Sequence, residues 1–253
     1  MEKDDKIEVA PEEKPFLEHL EDLRRLFLKI FLAWGVFSLI AFLLAGRVFT
    51  LIQWPLQQVG ADLGGAGKFV LRSLSPAEVF LASVKLSLLA GLIVALPLLL
   101  YLAARFILPA LTPKERRYLL PAFTLGGGLF FGGVIFAYTV VLPLSLRFFW
   151  RYTERLGVSP EWTVQNYLST AGKLLLGFGL VFEIPVVILL LAAMGIVNYK
   201  MLKEKRPYVI VAVFIVAALL TPPDIVTQIL MVIPLLILFE VCLLVTRFID
   251  RSG

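Results

Sequence analysis

Residues 178–191 read FGLVFEIPVVILLL. Every residue of this run is apolar, Gly or Pro except Glu183. What a lone carboxyl means there depends on the solvent around the run, and the rest of the chain decides that. Of its 253 residues, 59% are hydrophobic and 17% charged, with a mean hydropathy of +0.89. A soluble domain is typically about 45–50% apolar and about 25% charged. The excess is gathered into long runs, so the expected solvent is lipid. The formal net charge of +5 does not point to nucleic acid. The basic residues cluster between the apolar runs, where they set orientation in a membrane.

Outward from Glu183, the run belongs to an apolar stretch over 167–194. Similar stretches occupy 26–45, 77–107, 118–142, 208–220 and 225–245. A bilayer core of about 30 Å takes about 20 helical residues, so the expected fold is an all-α integral membrane protein with six transmembrane helices. The fifth stretch is too short to span untilted; a re-entrant segment or a short helix in a locally thinned bilayer both fit it. TPPD at 221–224 breaks the chain between stretches five and six, giving a tight helical hairpin. Helix starts are marked at SPAE (75–78) and TPKE (112–115), where a capping Ser or Thr, a Pro at the first helical position and a Glu two residues later form capping boxes. Asp224 is placed to cap stretch six. The whole chain reads as one transmembrane domain, 1–253, with a polar N-terminal segment lacking the apolar region of a cleavable signal.

Orientation follows from Lys and Arg. With the N-terminus inside, sixteen of the 24 basic residues fall on cytoplasmic segments and six on outer ones; Lys85 and Lys173 lie within stretches two and four. That asymmetry places both termini in the cytoplasm. The outer segments 46–76 and 142–166 are long, with Trp54, Trp150 and Trp162 near basic residues, and are expected to form cap loops on the outer leaflet. In stretch three, Gly128 and Gly132 form a GxxxG pair, read as a close helix–helix contact. Cys242, alone, is read as a small packing residue. With one His and one Cys in the chain, no His/Cys metal site and no cofactor is expected.

In chain order, HLEDLRRL (19–26), FILPALTPKERR (106–117), FGLVFEIPV (178–186), KRPY (205–208) and LLTPPD (219–224) resemble the TatC family, the multi-span subunits of the twin-arginine protein translocase. The resemblance runs from about residue 16 to 248 and agrees with the six-span, both-ends-inside count. It implies a concave, glove- or cup-like bundle with short helices five and six in the plasma (inner) membrane. It also implies a receptor rather than an enzyme. Such a protein binds signal peptides carrying two consecutive arginines at the cytoplasmic face, self-associates, and assembles with the single-span proteins TatA and TatB. Folded cargo then crosses on the proton-motive force.

The candidate residues have two readings each. By pattern alone Glu115 is the third residue of a capping box. By resemblance it is the cytoplasmic-loop carboxylate that recognises the arginine pair, in a planar two-pronged pairing that Lys cannot copy. Phe106 matches a position lining that site. Two arginines need a second acceptor. Phe16, Leu17, Leu20, Leu23 and Phe27 recur at helical spacing before stretch one, with Glu18, Glu21 and Asp22 on the polar side. The family pattern is roughly HLxELRxRL. Here Asp22 stands in place of its glutamate, Leu23 and Arg24 match, and Leu26 replaces its second arginine. Asp22 is the expected second acceptor, with Glu21 as substitute.

Glu183 falls near the middle of a stretch of about 28 residues, where a central Asp, Lys or Arg costs about 2.5–3.5 kcal/mol. Intramembrane acids face protein or water and are functional by default. Pro185 frees the carbonyl of Val181, so a bent helix with its polar side inward is expected; the resemblance matches Glu183 to the family's buried glutamate in helix four. Glu240 is read as structural, snorkelling or pairing with Arg247, and Lys173 as reaching the outer interface. Thr221 and Gln228 lie where the resemblance places a polar cluster that docks a partner's transmembrane helix; as a helix-end turn residue, Thr221 equally needs no partner. The competing function is a proton-coupled small-molecule transporter using Glu183 as its carrier.

Overall fold

The computed structural model describes residues 16–63, 70–107, 113–158, 161–220 and 225–252; for 16–19, 107, 113–120, 220, 226, 227, 230 and 249–252 it describes the backbone alone. The capping segments at Thr112 and Asp224, and Thr221, lie outside the described residues. The elements are helices: α1 (Phe16–Leu43), α2 (Ala45–Asp62), α3 (Pro76–Ile107), α4 (Pro113–Phe136), α5 (Leu142–Arg155), α6 (Val164–Val181), α7 (Ile184–Ala193), α8 (Tyr199–Leu220) and α9 (Ile225–Ser252). Among the described residues, five helical runs are long and apolar enough to cross a membrane: Leu20–Leu43, Pro76–Phe106, Pro121–Arg155, Val164–Ala193 and Met231–Phe248. Large apolar side chains point outward along them; Leu32 is 70% and Leu43 77% exposed. That inside-out distribution belongs to a surface bathed in lipid.

The segments expected as outer cap loops are largely helical. Residues 46–62 lie in α2, which buries Ile52, Pro55, Leu56 and Val59. Residues 142–155 are α5, which buries Leu142, Pro143 and Leu146. In each segment the buried residues recur at helical spacing and form one stripe. Between α4 and α5 the helix widens into a π turn, Ala137–Val141. Pro143 cannot donate to a carbonyl one turn back, and the wider turn accommodates it. Pro55 has the same defect inside α2. It leaves the Leu51 carbonyl without a helical donor, and the Tyr138 hydroxyl supplies one at 2.6 Å. Tyr167 donates likewise to the Ile52 carbonyl. Arg147 pairs with Asp62, joining α5 to α2.

The same end of the bundle holds the starts of α3 and α6. Arg72 and Thr163 form an isolated parallel bridge. Glu78 is 8% exposed and accepts from the Leu74 N–H and, across to α6, from the Gln165 N–H at 3.2 Å. The carboxylate expected to close a local capping box therefore also ties two helix starts together.

α1 runs antiparallel to α3: the Trp34 indole donates to the Leu88 carbonyl at 3.0 Å, and Phe42 meets Phe80 edge-on. α4 runs antiparallel to α6, and glycines set the spacing, but not the expected pair. A Cβ on Gly128 or Gly132 would meet nothing within 4 Å. A Cβ on Gly133 would stand 2.7 Å from the Phe178 carbonyl oxygen, and one on Gly179 2.5 Å from the Phe130 ring. The GxxxG pair faces away from the contact. Gly133→Ala should therefore destabilise the protein by about 1–3 kcal/mol, since backbone cannot yield as a side-chain tip can. Gly132→Ala should be neutral or slightly stabilising; thermal unfolding in detergent distinguishes the two.

Stretch four is bent as expected: the helical run Val164–Ala193 is interrupted at Phe182 and Glu183. α6 ends at Val181 and α7 starts at Ile184, with Pro185 in its first turn. Stretch five is longer than expected, because α8 begins at Tyr199 and carries a polar first half before its apolar run. α8 and α9 pack as the expected hairpin. Glu240 pairs with Arg206 of α8 rather than with Arg247, whose guanidinium lies over the Tyr199 ring at 5.8 Å. The hairpin brings the basic start of α8 against the end of α9, closer than a partner two turns along α9 itself.

Candidate functional site

Two groups of candidates emerge. The first lies at the end opposite α2 and α5. Because α1 and α3 are antiparallel, the first turns of α1 sit beside the last turns of α3, which places Glu21, Asp22 and Arg24 at the same end as Arg105 and Phe106. Glu21 is already engaged by Arg25 at 2.6 Å, both side chains exposed. Such an i,i+4 pair is worth about 0.3–0.5 kcal/mol, too little to lock the carboxylate against a better partner. Arg24 is exposed. Glu115 stands in the first turn of α4, as the sequence places it; its side chain lies outside the described residues.

The second group is inside the bundle. Glu183 sits in the break between α6 and α7. The Glu183 N–H is bonded to the Leu180 carbonyl, and its own carbonyl accepts from the Val186 N–H at 3.0 Å, so the Glu183 backbone is satisfied within the break. Its carboxyl points at α4. Oε2 lies 2.8 Å from where a Cβ on Gly126 would stand, and Oε1 is buried with no hydrogen-bond partner among the described residues. A buried carboxyl oxygen without a donor is costly. Gly126 makes room for it. The sequence shows three adjacent glycines and cannot say which one faces the acid.

Pro185 lines an apolar cavity of about 220 Å³ between α7 and the α8–α9 hairpin, with Val209, Leu235 and Phe239. Cys242 lines it too and is buried, which agrees with a packing role. Gln228 donates from its amide to the Phe214 carbonyl at 3.2 Å. It thus ties α9 to α8.

Fold and site together define a multi-span, all-helical membrane protein with an acidic carboxyl, Glu183, inside the bundle. Residues 18–234 match the sequence profile of TatC, described as Sec-independent protein translocase protein. A Sec-independent protein translocase protein TatC of Desulforapulum autotrophicum is 40% identical over 242 residues, 95% of this chain and 87% of that protein. The counterpart in Akkermansia muciniphila is 41% identical over 202 residues, 78% of this chain and 58% of that longer protein. A crystal structure of a twin arginine translocase receptor, TatC, superposes with a TM-score of 0.79 at 36% identity, covering 92% of this chain and all of that one. The chain belongs to the TatC family of Sec-independent protein translocase proteins.

Proposed function

We propose that the protein is the signal-peptide receptor of a twin-arginine translocase, and not an enzyme. It lies in the inner membrane as a single domain with six spans and both termini in the cytoplasm. The sixth span beyond the five apolar runs is α8, whose apolar half begins near Tyr208 and pairs with α9. The end carrying Asp22, Phe106 and Glu115 then faces the cytoplasm, and α2 and α5 cap the opposite face.

Glu115 and Asp22 take the two guanidinium groups of the signal peptide, with Glu21 as the alternative second acceptor. Phe106 packs against the peptide, and Arg24 holds the acids in a mixed-charge surface. Glu183, on the concave inner face of the cup, accepts hydrogen bonds from the inserting peptide or from a partner helix. Thr221 and Gln228 mark the edge on which the single-span partners TatA and TatB dock, through bonds worth about 0.6–2 kcal/mol each. Receptor copies associate with one another, and folded cargo crosses on the proton-motive force.

The observation that carries this reading is the family match across 18–234 together with the antiparallel α1–α3 pair, which delivers the N-terminal acids to the same membrane end as Phe106. The transporter alternative has no support from the comparisons. A photoreactive side chain at Arg105, exposed beside Phe106, tests the reading. It should capture a peptide bearing Arg-Arg and capture its Lys-Lys counterpart at least tenfold less, because guanidinium geometry rather than charge is recognised. Equal capture of the two peptides would refute the assignment.

A further inference from the structure

Lys85 and Lys173 stand on neighbouring helices inside the membrane-spanning runs. Each is nine residues into its helix, about 13–14 Å from the end at 1.5 Å per residue. α3 and α6 start together at the Arg72–Thr163 bridge, so the two lysines are level. They line one cleft of about 290 Å³ between α3 and α6, which also carries Gln165 and Ser169 and has aliphatic walls from Leu86 and Leu168. Both lysines are exposed, and neither forms an ion pair with a described residue. Of the acids at this end, Glu78 is committed to the N–H groups of Leu74 and Gln165, Glu161 to Arg72 at 3.0 Å, and Asp62 to Arg147, while Glu154 is exposed on α5 and does not line the cleft. A cation within a spanning helix is costly unless it snorkels or finds a counter-charge, and here two share one cleft.

We infer that this cleft binds an anionic phospholipid, with the phosphate on the two ammonium groups and an acyl chain along the aliphatic walls. A free phosphate has no use for those walls and would leave water to reach them. A partner helix is about 10–12 Å across with its side chains and does not enter a cleft of this volume, whereas an acyl chain does. The lysines supply point charges with rotatable donors, which suit a phosphate diester without demanding one headgroup. The site is independent of the arginine-pair receptor at the opposite end.

The test uses the full chain in bilayers of phosphatidylcholine with trace spin-labelled phosphatidylglycerol or phosphatidylcholine, comparing how much of each label is motionally restricted by the protein. Each lysine is expected to favour the anionic lipid about fivefold, roughly 30-fold for the pair at this site. The double variant Lys85→Gln/Lys173→Gln should restrict both lipids alike, and Lys85→Arg/Lys173→Arg should keep the preference. Retained preference in the Gln pair overturns the proposal. So does an equal loss in Lys200→Gln/Lys203→Gln, on exposed positions of α8, which would make the effect a general surface potential. Loss of the preference in excess inorganic phosphate at constant ionic strength would reassign the cleft to a free anion. An intact thermal unfolding transition in each variant ties any change to the cleft rather than to the fold.

Discussion

Glu115→Arg should abolish binding of a twin-arginine signal peptide to protein that is still inserted at normal levels. A charge-assisted hydrogen bond contributes about 1.5–3 kcal/mol, and reversal adds repulsion against both incoming guanidinium groups. The affinity loss should therefore exceed about 100-fold, or roughly 3 kcal/mol. Glu115→Gln keeps one acceptor oxygen and removes the charge, so its loss should be nearer tenfold. The fold tolerates both changes, because Glu115 lies in the first turn of α4, where exchanging an acid for a base costs only about 0.3–1 kcal/mol against the helix dipole. Peptide titration by fluorescence anisotropy, with the protein in detergent, reads the difference directly. Asp22→Ala separates the two acceptors: if Asp22 takes the second arginine, this variant weakens binding of an Arg-Arg peptide but barely alters binding of an Arg-Lys one. An unchanged affinity in Glu115→Arg would return that residue to the capping role that the TPKE pattern predicts.

The membrane character, the α3 boundaries and the α8–α9 hairpin were legible in the sequence because each rests on composition or on a local signal. Pro76 and Glu78 mark a helix start wherever the rest of the chain goes. The partners were not legible, because they depend on which face of one helix meets which face of another. Gly128 and Gly132 carry the small-residue spacing, yet Gly133 and Gly179 make the close approach. Spacing fixes a stripe on one helix, and the register against α6 selects which stripe is used. The same holds for Glu240, whose partner Arg206 lies 34 positions earlier in sequence and becomes adjacent only when α8 folds onto α9. α2 and α5 were read as loops because their buried stripes are narrow and their other faces polar, a pattern that only a second layer of helix explains. Tyr138 is the clearest instance. Its hydroxyl supplies the donor that Pro55 removes 83 positions away, and neither residue alone announces the other. Glu183 was legible as an exception to its surroundings; that α4 opens at Gly126 to receive it was not.

Glu183→Leu should reduce export of a folded twin-arginine reporter by about tenfold or more while leaving peptide capture at the cytoplasmic end within about twofold of the native protein, since an interhelical hydrogen bond in a membrane contributes up to about 1–2 kcal/mol. Glu183→Gln should retain most of the export, because the amide oxygen still accepts where Oε1 now lies buried without a partner among the described residues. The two substitutions differ in polarity and little in volume, so packing against α4 does not explain a split between them. Gly126→Val supplies the independent arm. A Cβ there would stand 2.8 Å from Oε2, and the flexible carboxyl end is what gives way, so this variant displaces the acid without removing it. If the carboxyl acts by meeting a donor at that place, Gly126→Val reproduces the export defect of Glu183→Leu, and combining the two adds little, as expected for groups that act at one point. Full export by Glu183→Leu would mean that the acid is carried in the membrane to no polar end, and the break between α6 and α7 would then need only Pro185 and the glycines at 177 and 179 to explain it.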